Sequence, residues 1–336
     1  MNKMSKRILI IAEAGVNYNG DIELAKKMVH VAADAGADIV KFQTGKPKNS
    51  ISVYAKKAEY QEQTTGSDES QLEMCEKLML PDEAYPELVE ACSKCGIQFL
   101  STPFDIESVD MLSSLGVHLW KIPSGEIISL PLLVHIAQKH EPVILSTGMS
   151  TLDEIETAVS VLRQYGADDI TVLQCNTEYP TQYEDANILA MKTIESKLDV
   201  KVGYSDHTAG IIVPVAAAAL GACVIEKHFT LDKSLPGPDQ KASMSPEELR
   251  QFVQAVRDTE TALGTGIKNP SASEIKNRDI ARKSIVAKCH INKGEIFTAD
   301  NLTYKRPGDG LSPMKWFEVL GTSAKKDFEP DEQIIL

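Results

Sequence analysis

The sequence is poor in the features that mark a membrane protein, a disulfide scaffold or a nucleic-acid binder. No stretch among its 336 residues approaches the roughly 18 to 20 consecutive apolar residues of a membrane span. The basic opening MNKMSKR precedes a short apolar run that reaches Glu13 too soon, without a small-residue cleavage site, so it is read as a β-strand rather than a signal peptide. Cysteine is scarce: six residues without framework spacing fit a reducing cytoplasm, and Cys92 and Cys95 form an isolated CxxC with no second pair to complete a zinc site. Positive charge is in deficit, with 35 Lys+Arg against 48 Asp+Glu, and a net charge of -13 repels phosphate backbones. Nucleic acid is therefore not an expected partner. There is no Walker A loop, and the GxG-type stretches are too short and misplaced for a dinucleotide fingerprint.

What the chain does have is alternation. Short β-branched runs at 7–15, 37–44, 97–103, 118–125, 142–148, 169–176, 201–208 and 223–229 are separated by amphipathic stretches. Helices are predicted near 21–36, 70–95, 106–115, 129–140, 151–166, 185–197, 209–221 and 245–263. Eight βα units predict an α/β (β/α)8 barrel over 1–265, because an open doubly wound sheet more often stops at five to seven strands. Residues 266–282, rich in Gly, Pro, Ser, Asn and charge, read as a linker, and 283–336 as a small β-rich module. That module carries 8 Lys+Arg and 8 Asp+Glu, so the whole negative excess belongs to the first 282 residues.

Polar residues gather where the strands end: Glu13, Lys41 and Gln43, Thr102, Lys121 and Ser124, Ser146, Ser205, His207, His228. In a barrel those ends share the rim where active sites are built. His207 and His228 end consecutive strands, close enough to share one divalent ion (Mn2+, Mg2+ or Zn2+) acting as a Lewis acid, although a strand-end histidine also serves as a hydrogen-bonded structural residue or general base. Glu226 shares a face with His228 and is placed to ligate or orient it. Lys41 and Lys121 are costly inside β-runs unless they meet an anion; the competing role is a Schiff base. Ser124-Gly125 and Ser146-Thr147-Gly148 add donors of the kind that hold phosphate or carboxylate.

The ordered segments IAEAGVNYNG, VKFQT, FLSTPFD, WKIPSGE, ILSTGM, CNTEYPTQYED, GYSDHT, EKHFT, GPDQKAS and YKRPGDG resemble the bacterial sialic acid synthase family of neuraminate, legionaminate and pseudaminate synthases. The resemblance spans nearly the whole chain. It implies a TIM barrel followed by an antifreeze-like (SAF) domain, in a domain-swapped cytoplasmic homodimer whose small domain covers the partner's site. The implied reaction condenses phosphoenolpyruvate with N-acetylmannosamine, as open-chain aldehyde, and water to give N-acetylneuraminate and phosphate. The alternative acceptor is 2,4-diacetamido-2,4,6-trideoxymannose, giving N,N'-diacetyllegionaminate; a Schiff-base aldolase is the more distant reading. Through the resemblance His207 and His228 would hold Mn2+ or Mg2+. Lys41, Lys121, Ser124, Ser146 and Ser205 would grip phosphoenolpyruvate, with Thr102 and Tyr179 nearby. Glu13, Gln43 and Asp239 would contact the sugar, and Arg306 would reach its N-acyl end across the dimer. Glu13 or Glu126 would activate the water. Tyr18 departs from the family, standing where many relatives have His.

Overall fold

A computed structural model describes residues 7–336; the basic segment 1–6 lies outside the described residues. The chain divides into two compact units, with the boundary between Thr265 and Gly266.

In the first unit eight parallel strands run β1 (Leu9–Gly15), β2 (Ile39–Thr44), β3 (Gln98–Pro103), β4 (Trp120–Ile122), β5 (Val143–Ser146), β6 (Ile170–Cys175), β7 (Lys201–Asp206) and β8 (Val224–His228). Their order, β3-β2-β1-β8-β7-β6-β5-β4, joins the first strand to the last, and β3 packs beside β4 at the seam of a nearly closed barrel. The expected (β/α)8 architecture is the one observed. Strands buried on both faces read as near-continuous apolar runs such as Ile10-Ile11-Ala12 and Val143-Ile144-Leu145, all almost inaccessible. At Gly203 on β7 a Cβ would stand 2.3 Å from the Val224 carbonyl oxygen, so only glycine lets β7 lie this close to β8.

The helices outside the strands are α1 (Ile22–Asp34), α2 (Pro47–Ser50), α3 (Glu59–Thr65), α4 (Gln71–Leu78), α5 (Tyr85–Cys95), α6 (Ile106–Ser114), α7 (Leu130–Ala137), α8 (Leu152–Gln164), α9 (Ala190–Leu198), α10 (Ile212–Ala219) and α11 (Pro246–Leu263). Their starts are written locally. Asp21 accepts from the Glu23 and Leu24 amides, and Thr151 with Glu154 and Ser245 with Glu248 close capping boxes. The expected single helix over 70–95 is two: α4 ends at Leu78, Met79 turns extended, and Pro81 removes an amide before α5 begins. Helices α2 to α4 form an extra segment between β2 and α5, at the strand-end side of β2. Among the described residues no helix is long and apolar enough to cross a membrane, and the six cysteines are free thiols.

The second unit opens with α12 (Ala272–Ala281), where the composition suggests an irregular arm. A capping box of Ser271 and Glu274 starts it, and its residues are all exposed on this unit. The remainder pairs β9 (Ser284–Ala287) antiparallel with β10 (Leu302–Lys305). Besides this pair, the expected β-rich module is joined by isolated bridges, Val286 with Gln333, Ile291 with Phe328 and Ile296 with Ser323. Ile285, Ile291, Phe297, Leu302, Phe328 and Ile334 make a small core of their own.

Candidate active site

Strand register builds the site. On β1, Glu13 lies opposite Lys41 of β2 on one side and His228 of β8 on the other. Gln43 lies opposite Thr102, Cys175 opposite Ser205, and Ser205 opposite Glu226. One inward-facing layer of the barrel mouth therefore carries acid, base, hydroxyl and imidazole groups together.

Four buried charges interlock there. The Lys41 ammonium lies 2.5 Å from Glu13 Oε2 and donates to Thr102 Oγ1 at 2.7 Å. Lys121 Nζ lies 3.3 Å from Glu226 Oε1, which also accepts from Ser205 Oγ at 3.2 Å, while Glu226 Oε2 is 3.9 Å from Lys41. Glu226 thus serves the two lysines rather than His228, where the sequence spacing had placed it. Burial pushes Glu13 up to about 7, outweighing the pull of Lys41. Burial would raise Glu226 too, but Lys121 and Lys41 hold it below the usual carboxylate range. Lys121 is lowered by burial. Glu13 is thus partly protonated near neutrality while Glu226 is held ionised beside Lys121 and Lys41.

The two imidazoles stand beside this cluster, ring centroids 5.3 Å apart. His207 Nδ1 bonds the Asn176 carbonyl. A carbonyl only accepts, so Nδ1 carries the proton and Nε2 is the nitrogen left to face a ligand. Burial would lower His207, but the Cys175 sulfur and the Asn176 carbonyl hold it above its ordinary value. Burial and the neighbouring His207 push His228 well below its ordinary value, so its ring is neutral, and its buried Nδ1 has no hydrogen-bond partner. Gly15, at φ +55°, makes room for it: a Cβ there would press to 3.2 Å from His228 Cε1. Among the described residues no group of three or more His, Cys, Asp and Glu is assembled as a metal cage. The chain supplies two imidazoles with one nitrogen each, a donor set that suits an ion keeping open positions.

Two cavities share this mouth. The smaller, about 170 Å³, is lined by Glu13, Lys41, Thr102, Lys121, Ser124, Ser146, Ser205 and both histidines, with Gln43 and Tyr179 at its edge. Ser146 Oγ is buried there without a partner, and Ser124 Oγ accepts from the Gly148 amide at 2.8 Å. The larger, about 420 Å³, shares Gln43, Tyr179, Phe104 and His228 with the first, and adds Asp239, Glu126 and the apolar side chains Val16, Ile51, Ala55, Met74, Leu78 and Met79. Burial pushes Asp239 up to about 6.

Every site residue read from the barrel sequence lines one cavity or the other except Thr147, whose hydroxyl donates to the Leu173 carbonyl, and Gly148. Glu126 lines the larger alone and takes a hydrogen bond from Ser129. Arg306 belongs to the second unit, where its exposed side chain donates Nε to the Ala281 carbonyl at 3.1 Å. Tyr18 is wholly buried, its hydroxyl 3.4 Å from the Gln43 carbonyl, where it packs the barrel mouth. Sequence reasoning missed Cys175 and the wall formed by α2 to α4. Tyr60 of α3 stacks on Tyr179 at 5.0 Å, and Tyr179 covers His207 at 4.0 Å. The aromatic and methionine content of 51–79 was the available signal.

A (β/α)8 barrel whose mouth gathers two lysines, hydroxyl donors and two imidazoles is built to hold an anion beside a candidate metal-binding pair. Residues 28–268 match the NeuB family and residues 282–334 the SAF domain. The chain is 55% identical over 98% of its length to N,N'-diacetyllegionaminic acid synthase of Campylobacter jejuni, covering 99% of that protein. It is 46% identical to the synthase of the same name from Legionella pneumophila, over 95% of this chain and 90% of that one. Among solved structures, N-acetylneuraminic acid synthetase from Leptospira borgpetersenii aligns with a TM-score of 0.71 at 37% identity, covering 81% of this chain and 90% of that one. The chain belongs to the sialic acid synthase (NeuB) family, and is a transferase of the phosphoenolpyruvate-dependent nonulosonic acid synthase class.

Proposed function

We propose that the protein condenses phosphoenolpyruvate with 2,4-diacetamido-2,4,6-trideoxymannose, forming N,N'-diacetyllegionaminate and phosphate, in place of the N-acetylmannosamine that stood first on sequence. The carrying observation is the apolar wall of the larger cavity, Ile51, Ala55, Met74, Leu78 and Met79. A sugar whose C6 is a methyl group and whose two N-acetyl groups end in methyls gains from such a wall, whereas the C6 hydroxyl of N-acetylmannosamine would lose hydration against it. The names of the Campylobacter and Legionella relatives support the same acceptor.

In the smaller cavity Lys41 and Lys121 would hold the phosphate and carboxylate of phosphoenolpyruvate, with Ser124, Ser146, Ser205 and Thr102 donating to its oxygens. Gln43, Asp239 and Tyr179 would hold the open-chain sugar so that its aldehyde meets C3 of phosphoenolpyruvate. A divalent ion, Mn2+ or Mg2+, held by His207 and His228 would supply Lewis-acid polarisation of that aldehyde. The C3 to C1 bond forms, the aldehyde oxygen takes up a proton from solvent, and C2 becomes electron-deficient. Glu13, poised near 7 and lining the smaller cavity, would remove a proton from the water that adds at C2. The tetrahedral intermediate then breaks its C2 to O bond, the C2 hydroxyl proton passing to the departing phosphate as the keto group forms, and the proton on Glu13 returns to solvent. Glu126, confined to the larger cavity, would hydrogen-bond the acceptor. By resemblance to the family, the working assembly is a homodimer in which Arg306 acts on the partner's acceptor.

The test is phosphate release from phosphoenolpyruvate with Mn2+ and each sugar. The trideoxy sugar should show the higher kcat/KM. A preference for N-acetylmannosamine overturns the acceptor, and no release with either sugar overturns the condensation.

A further inference from the structure

The two motifs that carry the histidines, YSDHT and EKHFT, hold, besides Glu226 in the cavity, a pair of charged residues that the reaction above leaves unused: Asp206 and Lys227. They lie directly opposite one another across β7 and β8. Strand alternation turns them away from the cavity, since their neighbours Ser205, His207, Glu226 and His228 line it. They sit on the outer face of the barrel wall, where α10 packs on both strands. Lys227 Nζ is 2.5 Å from Asp206 Oδ2, with side-chain exposures of 3% and 0%.

An ion pair this deep is a poor source of stability, because desolvating both charges offsets most of their attraction and apolar residues of similar size serve a fold at least as well. Its hydrogen bonds give it a different use. Lys227 also donates to the Thr208 carbonyl at 2.6 Å. Asp206 Oδ1 accepts from the Thr208 amide at 3.1 Å and from its hydroxyl at 2.9 Å. Residues 206 and 208 are thereby clasped to β8 on both sides of His207. The His207 carbonyl accepts from the Thr181 amide at 2.9 Å, which ties the Tyr179 loop to the same turn. Lys227 is itself the residue before His228, so one cross-strand pair fixes the backbones that carry both imidazoles.

We propose that Asp206 and Lys227 are positioning residues that set the spacing of His207 and His228 for a shared divalent ion. The proposal rests on the reading of the two histidines as ligands. Its test is Mn2+ binding to the full chain without substrates, followed by electron paramagnetic resonance, together with the Tm of each variant. The double variant Asp206→Leu/Lys227→Met removes the clasp without leaving a buried charge unpaired. It should keep a Tm near that of the parent and bind Mn2+ at least tenfold more weakly. Should the double variant fail to fold, Thr208→Val, which deletes only the hydroxyl held by Asp206, is read the same way with a threefold weakening expected. Unchanged Mn2+ affinity in a folded variant overturns the positioning role. Failure of the parent chain to bind Mn2+ overturns the ligand reading beneath it, and the two failures are told apart by that control.

Discussion

Asp239 stands in the larger cavity with its carboxyl raised to about 6 by burial. Its ionised form accepts hydrogen bonds from the hydroxyl and amide groups of a sugar; its protonated form competes as a donor. Because the folded-state value is raised, the ionised form is populated only above about 6 and is lost as pH falls through it. KM for the acceptor should therefore rise between pH 7 and pH 5 with an inflection near 6, and Asp239→Asn should hold a constant KM across the same range. A wild-type KM that stays flat would remove Asp239 from acceptor binding. At this scale much of the mouth was legible: Lys41, Lys121, His207 and His228 are residue types that a strand end bears only at a cost. The partner of each lysine was not legible, because Glu226 shares the strand period with His228 yet turns toward Lys121, a choice made by the closed barrel, which brings β4 and β8 face to face across its mouth, and not by local spacing.

At the level of elements, the eight strands were readable because buried parallel strands are nearly continuous apolar runs, and the outer helices because their caps and periodicity coincide. Helices α2 and α3 were not, nor was the break between α4 and α5, although Pro81 marks a stop; the apolar period of α5 runs on smoothly from α4 and hid it. Helix α12 was masked in another way: its polar, wholly exposed residues offer no stripe to read, and only the Ser271 and Glu274 box declares it. The cost of missing the break falls on function, since Leu78 and Met79, which flank it, belong to the apolar wall with Ile51, Ala55 and Met74. Met79 is half-buried and ends that wall. Met79→Thr should lower the ratio of kcat/KM for the trideoxy sugar over that for N-acetylmannosamine by roughly fivefold, the value of about 1 kcal/mol of apolar contact. Competition between the two sugars measures it, and an unchanged ratio would place the deoxy end of the acceptor elsewhere.

For the whole molecule, the charge of -13 and its confinement to the first 282 residues set a condition on the reaction. An anionic substrate must be held against that field, and the barrel mouth gathers Lys41 and Lys121 there with the hydroxyls of Thr102, Ser124, Ser146 and Ser205. The neutral second unit carries Arg306, whose proposed action on the partner's acceptor is a statement about assembly that mixed dimers can decide. Arg306→Ala impairs the donated arm and leaves the barrel whole; His207→Ala impairs the barrel and leaves the arm whole. If the arm acts in trans, a heterodimer of the two variants holds one intact site, formed by the Arg306→Ala barrel and the arm of the His207→Ala chain. An equal mixture, denatured and refolded together so that subunits pair at random, should then recover about a quarter of the parent activity, since half of the dimers are mixed and each has one working site of two. If the arm acts within its own chain, every site in the mixture carries a lesion and activity stays at the level of the separate variants. Light scattering on the same samples shows whether dimers form at all, so a monomer would be recognised as such, and a dimer without recovery would assign Arg306 to its own barrel.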